Sequence, residues 1–296
     1  MTRIGVLGFG EAGSMLAKVL ADAGAVVDAY DQAWDRSDAE RLRKHSADHS
    51  NIKCCLLPEL LASAEIILST VTTDAALDVA NACVPSLRPQ QIYCDLNSTA
   101  PAVKLRLHDL LRPTGAEFVE GAILGAIGIT GANTQILLGG TRAGALSQTL
   151  NRFGLNTSPY SRDIGKASTF KMLRSIFSKG LEALIIEFLM AGHKAGLQHD
   201  LWQEVATLMT ERGFEDVARN WVCSHGVAHE RRYHEMVQVI DLLKHMQFDP
   251  IMTEATNRFF ERSTDLQLSR DFVGKPDLMD DVIEALLRHT SQRHSQ

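Results

Sequence analysis

The sequence predicts an α/β fold for this 296-residue chain. A doubly wound, mostly parallel sheet is expected over residues 1–162, and an all-α domain over residues 163–296. Three observations carry this reading. Short apolar runs alternate with helical patterns through the first half of the chain, the signature of βαβ units. A glycine-rich loop joins the first run to the first helix. Beyond about residue 160 the three- and four-residue apolar spacing of helices continues, and no run reads as a strand.

Taken in order, the strand candidates are Ile4–Leu7, Val26–Tyr30, Ile66–Val71, Ile92–Leu96, Phe118–Leu124 and Ile136–Leu138. Between them, Ala12–Ala23 places Met15, Leu16, Val19 and Leu20 on one face and stops at Gly24. Leu77–Cys83 and Val103–Leu111 are further helices, the latter with Pro101 at a first-turn position. One long helix is predicted from Ala167 to about Gly192, on the spacing of Leu173, Ile176, Phe177, Leu181, Leu184, Ile185 and Phe188. Helices over Leu201–Arg212, Ala228–His245, Pro250–Ser263 and Asp277–His289 follow, with Gly274-Lys275-Pro276 separating the last two.

Composition narrows the function classes. Apolar residues make up 45% and charged residues 22%, as in ordinary soluble domains. A formal net charge of −6 offers no basic surface for a nucleic-acid backbone. The five cysteines, Cys54, Cys55, Cys83, Cys94 and Cys223, lack zinc spacing and are odd in number, so reduced thiols and no metal site are expected. No apolar run reaches the roughly 20 residues of a membrane span. The chain passes from Met1-Thr2-Arg3 straight into the first strand pattern, so a cytoplasmic location is expected.

The loop reads Gly8-Phe9-Gly10-Glu11-Ala12-Gly13, a G-x-G-x-x-G between strand and helix. Gly8 permits the tight turn, Gly10 lets a pyrophosphate approach the backbone, and Gly13 lets the helix pack on the strand. The helix N-terminus then offers free N–H groups to the phosphates. The second strand ends in an acid, Asp31, suited to accept hydrogen bonds from ribose hydroxyls. Asp28 is the rival acid, but the alternation along the strand puts Asp31 at its end. Together these features predict a Rossmann domain that binds NAD. Arg36 could reach a 2′-phosphate, which keeps NADP open.

Further along, the chain resembles the β-hydroxyacid dehydrogenase family, whose members include 3-hydroxyisobutyrate, tartronate semialdehyde and 6-phosphogluconate dehydrogenases. Besides the glycine loop, four segments carry the resemblance. They are Ser69-Thr70-Val71-Thr72-Thr73, Asp95-Leu96-Asn97-Ser98-Thr99-Ala100-Pro101, Glu120-Gly121-Ala122-Ile123-Leu124-Gly125-Ala126, and Gly165-Lys166-Ala167-Ser168-Thr169-Phe170-Lys171-Met172-Leu173-Arg174-Ser175. The resemblance implies that Val71 and Thr72 run along the cofactor and that Asn97, Ser98 and Thr99 lie near the nicotinamide. Ser98, Leu124, Gly125 and Ala126 would then face substrate. Two departures stand out. Leu124 replaces the family's substrate-loop serine, and Arg174 and Ser175 replace its helix asparagines.

The family's lysine remains, as Lys171. Hydride transfer from an alcohol carbon leaves a proton on oxygen, and a base must take it. Spacing alone makes Lys171 a surface helix residue; the resemblance makes it the general acid/base. Partial burial and a nearby positive nicotinamide would lower its proton affinity. Ser175, one turn later on the same face, could orient the substrate hydroxyl or simply pack the helix.

His225, His229 and Arg232 share a helix face with Met236, Val239 and Leu243. Recognition of an anionic substrate group by His229 and Arg232 is one reading. Hydrogen bonding within or between subunits is another, and a two-histidine metal site a weaker third. The stretch His229-Glu230-Arg231-Arg232-Tyr233-His234-Glu235-Met236 resembles a domain of unassigned function on phosphogluconate-dehydrogenase-like oxidoreductases.

The expected function is therefore an NAD(P)-dependent dehydrogenase of a small, anionic hydroxyacid or related alcohol, working as a homodimer. An imine reductase, a 6-phosphogluconate-type oxidative decarboxylase and a non-catalytic dinucleotide sensor are the alternatives.

Overall fold

A computed structural model describes residues 2–35, 51–125 and 127–293. Arg36 and Ala126 lie outside the described residues. Eight strands form one sheet: β1 (Arg3–Leu7), β2 (Val26–Tyr30), β3 (Ile52–Cys54), β4 (Ile66–Ser69), β5 (Ile92–Asp95), β6 (Glu117–Ile123), β7 (Gln135–Gly139) and β8 (Asn156–Ser161). Their spatial order is β3-β2-β1-β4-β5-β6-β7-β8. All neighbours pair in parallel except β6 with β7.

The helices of this part are α1 (Glu11–Asp22), α2 (Leu57–Ser63), α3 (Ala76–Cys83), α4 (Pro101–Leu111), α5 (Ile127–Thr130) and α6 (Ala143–Arg152). Alternation along the strands divides the core between two faces. Ile4, Val6, Val27, Ala29, Ile66 and Leu68 pack with Leu16 and Leu20 of α1 and with Leu146 and Leu150 of α6. Leu7, Ile67, Tyr93 and Phe118 pack with Leu60 and Leu61 of α2, Ala80 of α3, and Leu107 and Leu111 of α4. The chain reverses its direction of travel across the sheet between β3 and β4, so β1 and β4 are neighbours at a topological switch point. In open α/β sheets ligands bind outside the carboxyl ends of the strands at such a point.

Helix α7 (Lys166–Lys194) is followed by α8 (Gln198–Glu211), α9 (Phe214–His245), α10 (Ile251–Asp265) and α11 (Met279–Arg293). Two compact units divide the chain at Ile176 and Phe177, so the opening turns of α7 belong with the sheet. The start of α7 is hydrogen-bonded to Glu120 of β6. In the second unit, Leu268, Val282 and Ala285 make a small core with Val222, Phe272 and Leu286. Helix α9 begins fourteen residues before the Ala228 start that spacing predicts. Within it, the missing side chain of Gly226 admits Phe272, whose Cδ2 lies 3.1 Å from where a Cβ would stand.

Candidate active site

The glycines of the first loop stand in three different settings. Gly8 sits at φ +83°, where a Cβ would stand 2.6 Å from the Thr70 carbonyl oxygen. At Gly13 a Cβ would lie 1.9 Å from the Gly8 oxygen, so no side chain fits between helix and loop. Gly10 has nothing within 4 Å of a built Cβ. It is exposed and faces a cleft of about 390 Å³ lined also by Gly8, Tyr30, Asp31, Thr70, Val71 and Thr72. The loop is braced from β4 by Thr70, whose hydroxyl donates to the carbonyls of Gly8 (2.8 Å) and Leu7 (3.1 Å).

Asp31 ends β2 at the rim of that cleft. Its Oδ2 accepts from the Phe9 N–H at 2.6 Å and its Oδ1 from the Ala33 N–H at 2.8 Å. The carboxylate thus ties the second strand to the glycine loop while lining the cleft. Asp28 takes no part: it is buried and bonded to Arg3 and Ser63. Phe9 is buried, 5.6 Å from Trp34 between ring centroids. Glu11 and Ala12 open α1. The Glu11 side chain lies against Gly128 of α5. Taken together, a positive-φ turn, an open glycine at a helix N-terminus, and an acid at the second strand's end fit a dinucleotide.

The loop after β5 is built around a group that the sequence reading missed. Lys104 of α4 is fully buried. Its ammonium donates to the Asp95 carboxylate at 2.5 Å, to the Asn97 carbonyl at 2.8 Å and to the Asp95 carbonyl at 2.9 Å. An ammonium has three protons, and three close acceptors use them all. Burial pushes the Asp95 carboxyl above its usual range, and the Lys104 charge opposes this. The Asn97 amide donates to Asp95 and, at 3.1 Å, to the Ser69 hydroxyl. The side-chain oxygens of Asn97 and Thr99 are buried without a hydrogen-bond partner. Ser98 alone of residues 91–99 is exposed.

Lys171 reaches that exposed hydroxyl: its Nζ donates to Ser98 Oγ at 2.6 Å. The half-buried ammonium has its proton affinity lowered, first by burial and then by repulsion from Lys104. What fixes Lys171 is the start of its helix. Glu120, buried in β6, accepts from the N–H groups of Gly165 (2.7 Å) and Ala167 (3.0 Å) and from the Ser168 hydroxyl (2.7 Å). A carboxylate at a helix N-terminus satisfies free donors and complements the dipole.

Two sequence signals could have revealed these supports. Lys104 stands on the buried stripe of its helix with Leu107 and Leu111, and Glu120 interrupts an otherwise apolar strand.

The remaining candidates fare unequally. Ser175 donates its hydroxyl to the Lys171 carbonyl at 3.0 Å, a bond within its own helix that favours the packing reading. Leu124 packs with Ala122, Leu137 and Ala167, so it supplies apolar surface where the resembled family has a hydroxyl. Gly125 is exposed.

In the second unit, His229 is 1% exposed and its Nδ1 bonds the His225 carbonyl at 2.9 Å. His225 bonds Ser263 at 2.9 Å. Burial, then His229 and the two arginines 232 and 262, push its pKa down to about 4. His229 is enclosed, with its Nδ1 already bonded to the His225 carbonyl, an arrangement that favours the hydrogen-bonding reading of this pair. Arg232 donates to Ser224 at 2.6 Å and lines an apolar cavity of about 410 Å³. Among the described residues no three side chains gather that could hold a metal ion.

Residues 3–156 match the family described as the NAD binding domain of 6-phosphogluconate dehydrogenase. Residues 192–263 match a domain of unknown function, DUF1932. The uncharacterized 28.5 kDa protein in the 7S RNA 5′ region of Methanothermus fervidus is 30% identical over 261 residues, 88% of this chain and 98% of its own. A solved conserved protein of unknown function, described as structurally similar to 3-hydroxyacid dehydrogenases, is 32% identical. Its TM-score is 0.59, over 90% of this chain and 98% of that one. An imine reductase variant from Myxococcus stipitatus, in complex with NAD+, has a TM-score of 0.77 over 98% of this chain and 99% of its own, at 18% identity. That last likeness is one of fold.

Proposed function

The chain belongs to the family that carries the NAD binding domain of 6-phosphogluconate dehydrogenase, and from that premise we propose that it is an NAD-preferring oxidoreductase of a small hydroxyacid or related alcohol, with Lys171 as its general acid/base. The observation that carries this reading is the 2.6 Å bond between Lys171 and Ser98, made beside the loop that closes the carboxyl end of β5. The cofactor would be held by Gly8, Gly10 and the N-terminus of α1, by Asp31, and by Val71 and Thr72. When bound, it supplies the nicotinamide carbon that accepts or donates hydride.

The chain's own residues manage the proton. Lys171, unprotonated, takes the proton from the substrate hydroxyl as the alcohol is oxidised; protonated, it returns it in the reverse direction. Its lowered proton affinity brings the two states closer in population near neutrality. Ser98 accepts one hydrogen bond from the ammonium and so fixes where the amine points. Asp31 favours NAD, because its carboxylate repels a 2′-phosphate.

Leu124 supports a second reading, an imine reductase. An apolar side chain against Ala122, Leu137 and Ala167 offers no hydroxyl for a hydroxyacid. On this reading Lys171 would supply the proton that accompanies hydride delivery to the imine.

The test is a screen of purified protein with NAD and NADP against 3-hydroxyacids, sugar acids, their phosphates and cyclic imines, following nicotinamide absorbance. Hydroxyacid turnover that Lys171→Ala abolishes while cofactor affinity survives supports the first reading. Turnover of imines alone supports the second. Tight cofactor binding with no turnover on any of them rejects both.

A further inference from the structure

We propose that Lys104 is a positioning residue for this reaction: its buried ammonium holds the Asp95–Thr99 loop in the shape that sets Ser98 against Lys171, and its charge acts on Lys171 across that loop. The proposal rests on Lys171 being the acid/base.

The geometry argues for the first half. Lysine is almost never fully buried without a partner, and here the three closest acceptors of the ammonium belong to one loop, with the Gly121 carbonyl of β6 a fourth at 3.4 Å. The carbonyls of Asp95 and Asn97 turn inward to meet it, at 2.9 and 2.8 Å. The Asn97 carbonyl has a second donor in the Thr99 N–H at 2.9 Å, but Lys104 is the group that ties it to the Asp95 carbonyl and carboxylate, and an apolar side chain at position 104 would remove that tie. The next residue, Ser98, is thereby pushed out to the surface, where Lys171 finds it.

Stability alone does not account for the arrangement. A buried ion pair of the Lys104–Asp95 kind, with both side chains 0% exposed, is often no more stable than well-packed apolar residues of similar volume. What an apolar pair cannot reproduce is the set of carbonyl contacts and the charge.

The second half follows from the neighbours of Lys171. Charged groups on the surrounding elements are Lys104 and Asp95, which pair with each other, and Glu120, which is held by the N–H groups opening α7. On its own helix stand Lys166 and Arg174. Of these, Lys104 is bonded to the Asn97 carbonyl directly before the serine that Lys171 meets, so its charge stands behind that contact, and its repulsion, second to burial, lowers the proton affinity of Lys171.

The experiment compares wild type with Lys104→Met, Lys104→Met combined with Asp95→Asn, and Lys104→Arg. Competitive acetylation by acetic anhydride across a pH series, read at Lys171 by mass spectrometry, gives that lysine's protonation midpoint without any substrate. NAD affinity and thermal melting report the fold. Both neutral variants are expected to raise the midpoint, while Lys104→Arg, which keeps the charge, stays closer to wild type. The double variant leaves no buried carboxylate behind and serves if the single one fails to fold.

A midpoint unchanged in a folded neutral variant overturns the proposal. So does one that Lys104→Arg raises as far as the neutral variants do. Acetylation reads the lysine itself, so an active Lys171→Ala enzyme would refute the assigned base and leave this coupling separately judged.

Discussion

At the scale of single residues, the glycine loop and Lys171 make sharp, separable predictions. Gly10 and Gly13 are both glycines of one motif, yet their surroundings are opposite. Gly10→Ala meets no atom within 4 Å, so its melting temperature should match wild type while NAD affinity, followed by protein fluorescence, falls. Gly13→Ala drives a methyl to 1.9 Å from a backbone oxygen, and should lower the melting temperature as well as the affinity. If Gly10→Ala binds NAD as wild type does, the cleft it faces is not the pyrophosphate site. For Lys171, replacement by alanine should cost about 10²–10⁴ in turnover. The pH dependence has a definite sign. Burial first, and Lys104 second, lower the proton affinity of Lys171, so the oxidation rate should rise with pH and level off at a midpoint below that of an ordinary lysine. The reductive direction should fall through the same midpoint. An oxidation rate indifferent to pH over that range would mean that another group takes the proton.

At the scale of elements, the device that matters is the join between β6 and α7. Glu120 gathers two backbone N–H groups and the Ser168 hydroxyl. Bonds to a charged group contribute about 1.5–3 kcal/mol each, so Glu120→Ala should destabilise the first unit by several kcal/mol in urea titration. Glu120→Gln keeps an acceptor and should cost less. It should also loosen the start of α7, seen as faster amide exchange from Gly165 to Lys171. Equal stability of Glu120→Ala and wild type would show that the cap is dispensable. This join also marks where the sequence was legible and where it was not. Six strands were readable, because each alternates or runs apolar between polar or turn-forming residues. The helices α1, α3, α4 and α7 were readable from the three- and four-residue spacing of their apolar positions. Strands β3 and β8 were not: β3 has three residues, and β8, an edge strand reading Asn-Thr-Ser-Pro-Tyr-Ser, is mostly polar. Lys171 and Ser98 were legible through a resemblance, but the charges that place them were not. Lys104 and Glu120 act by being buried: a charge on an apolar stripe or within a strand marks each of them locally, but which groups they bond is decided by tertiary packing.

At the scale of the whole molecule, the distribution of apolar surface bears on assembly. Within the second unit, helix α7 leaves Phe177, Leu181, Leu184, Ile186 and Met190 exposed. Scattered apolar residues on a surface need no explanation, but a long run along one helix does, since monomeric proteins rarely present large contiguous apolar patches. No helix of the described residues is long and apolar enough to cross a membrane. A second copy of the chain is the partner that meets this surface most economically, because a twofold interface pairs a patch with itself. We therefore expect a homodimer, with light scattering giving twice the chain mass. A charge placed within that face, as in Leu184→Glu, would have to be desolvated in the dimer but stays in water in a lone chain. It should weaken association by about 2 kcal/mol or more, roughly thirtyfold in the dissociation constant, while circular dichroism shows the helices intact. A monomer in the wild type, or a dimer indifferent to Leu184→Glu, would place the interface elsewhere and leave this helix face to another partner.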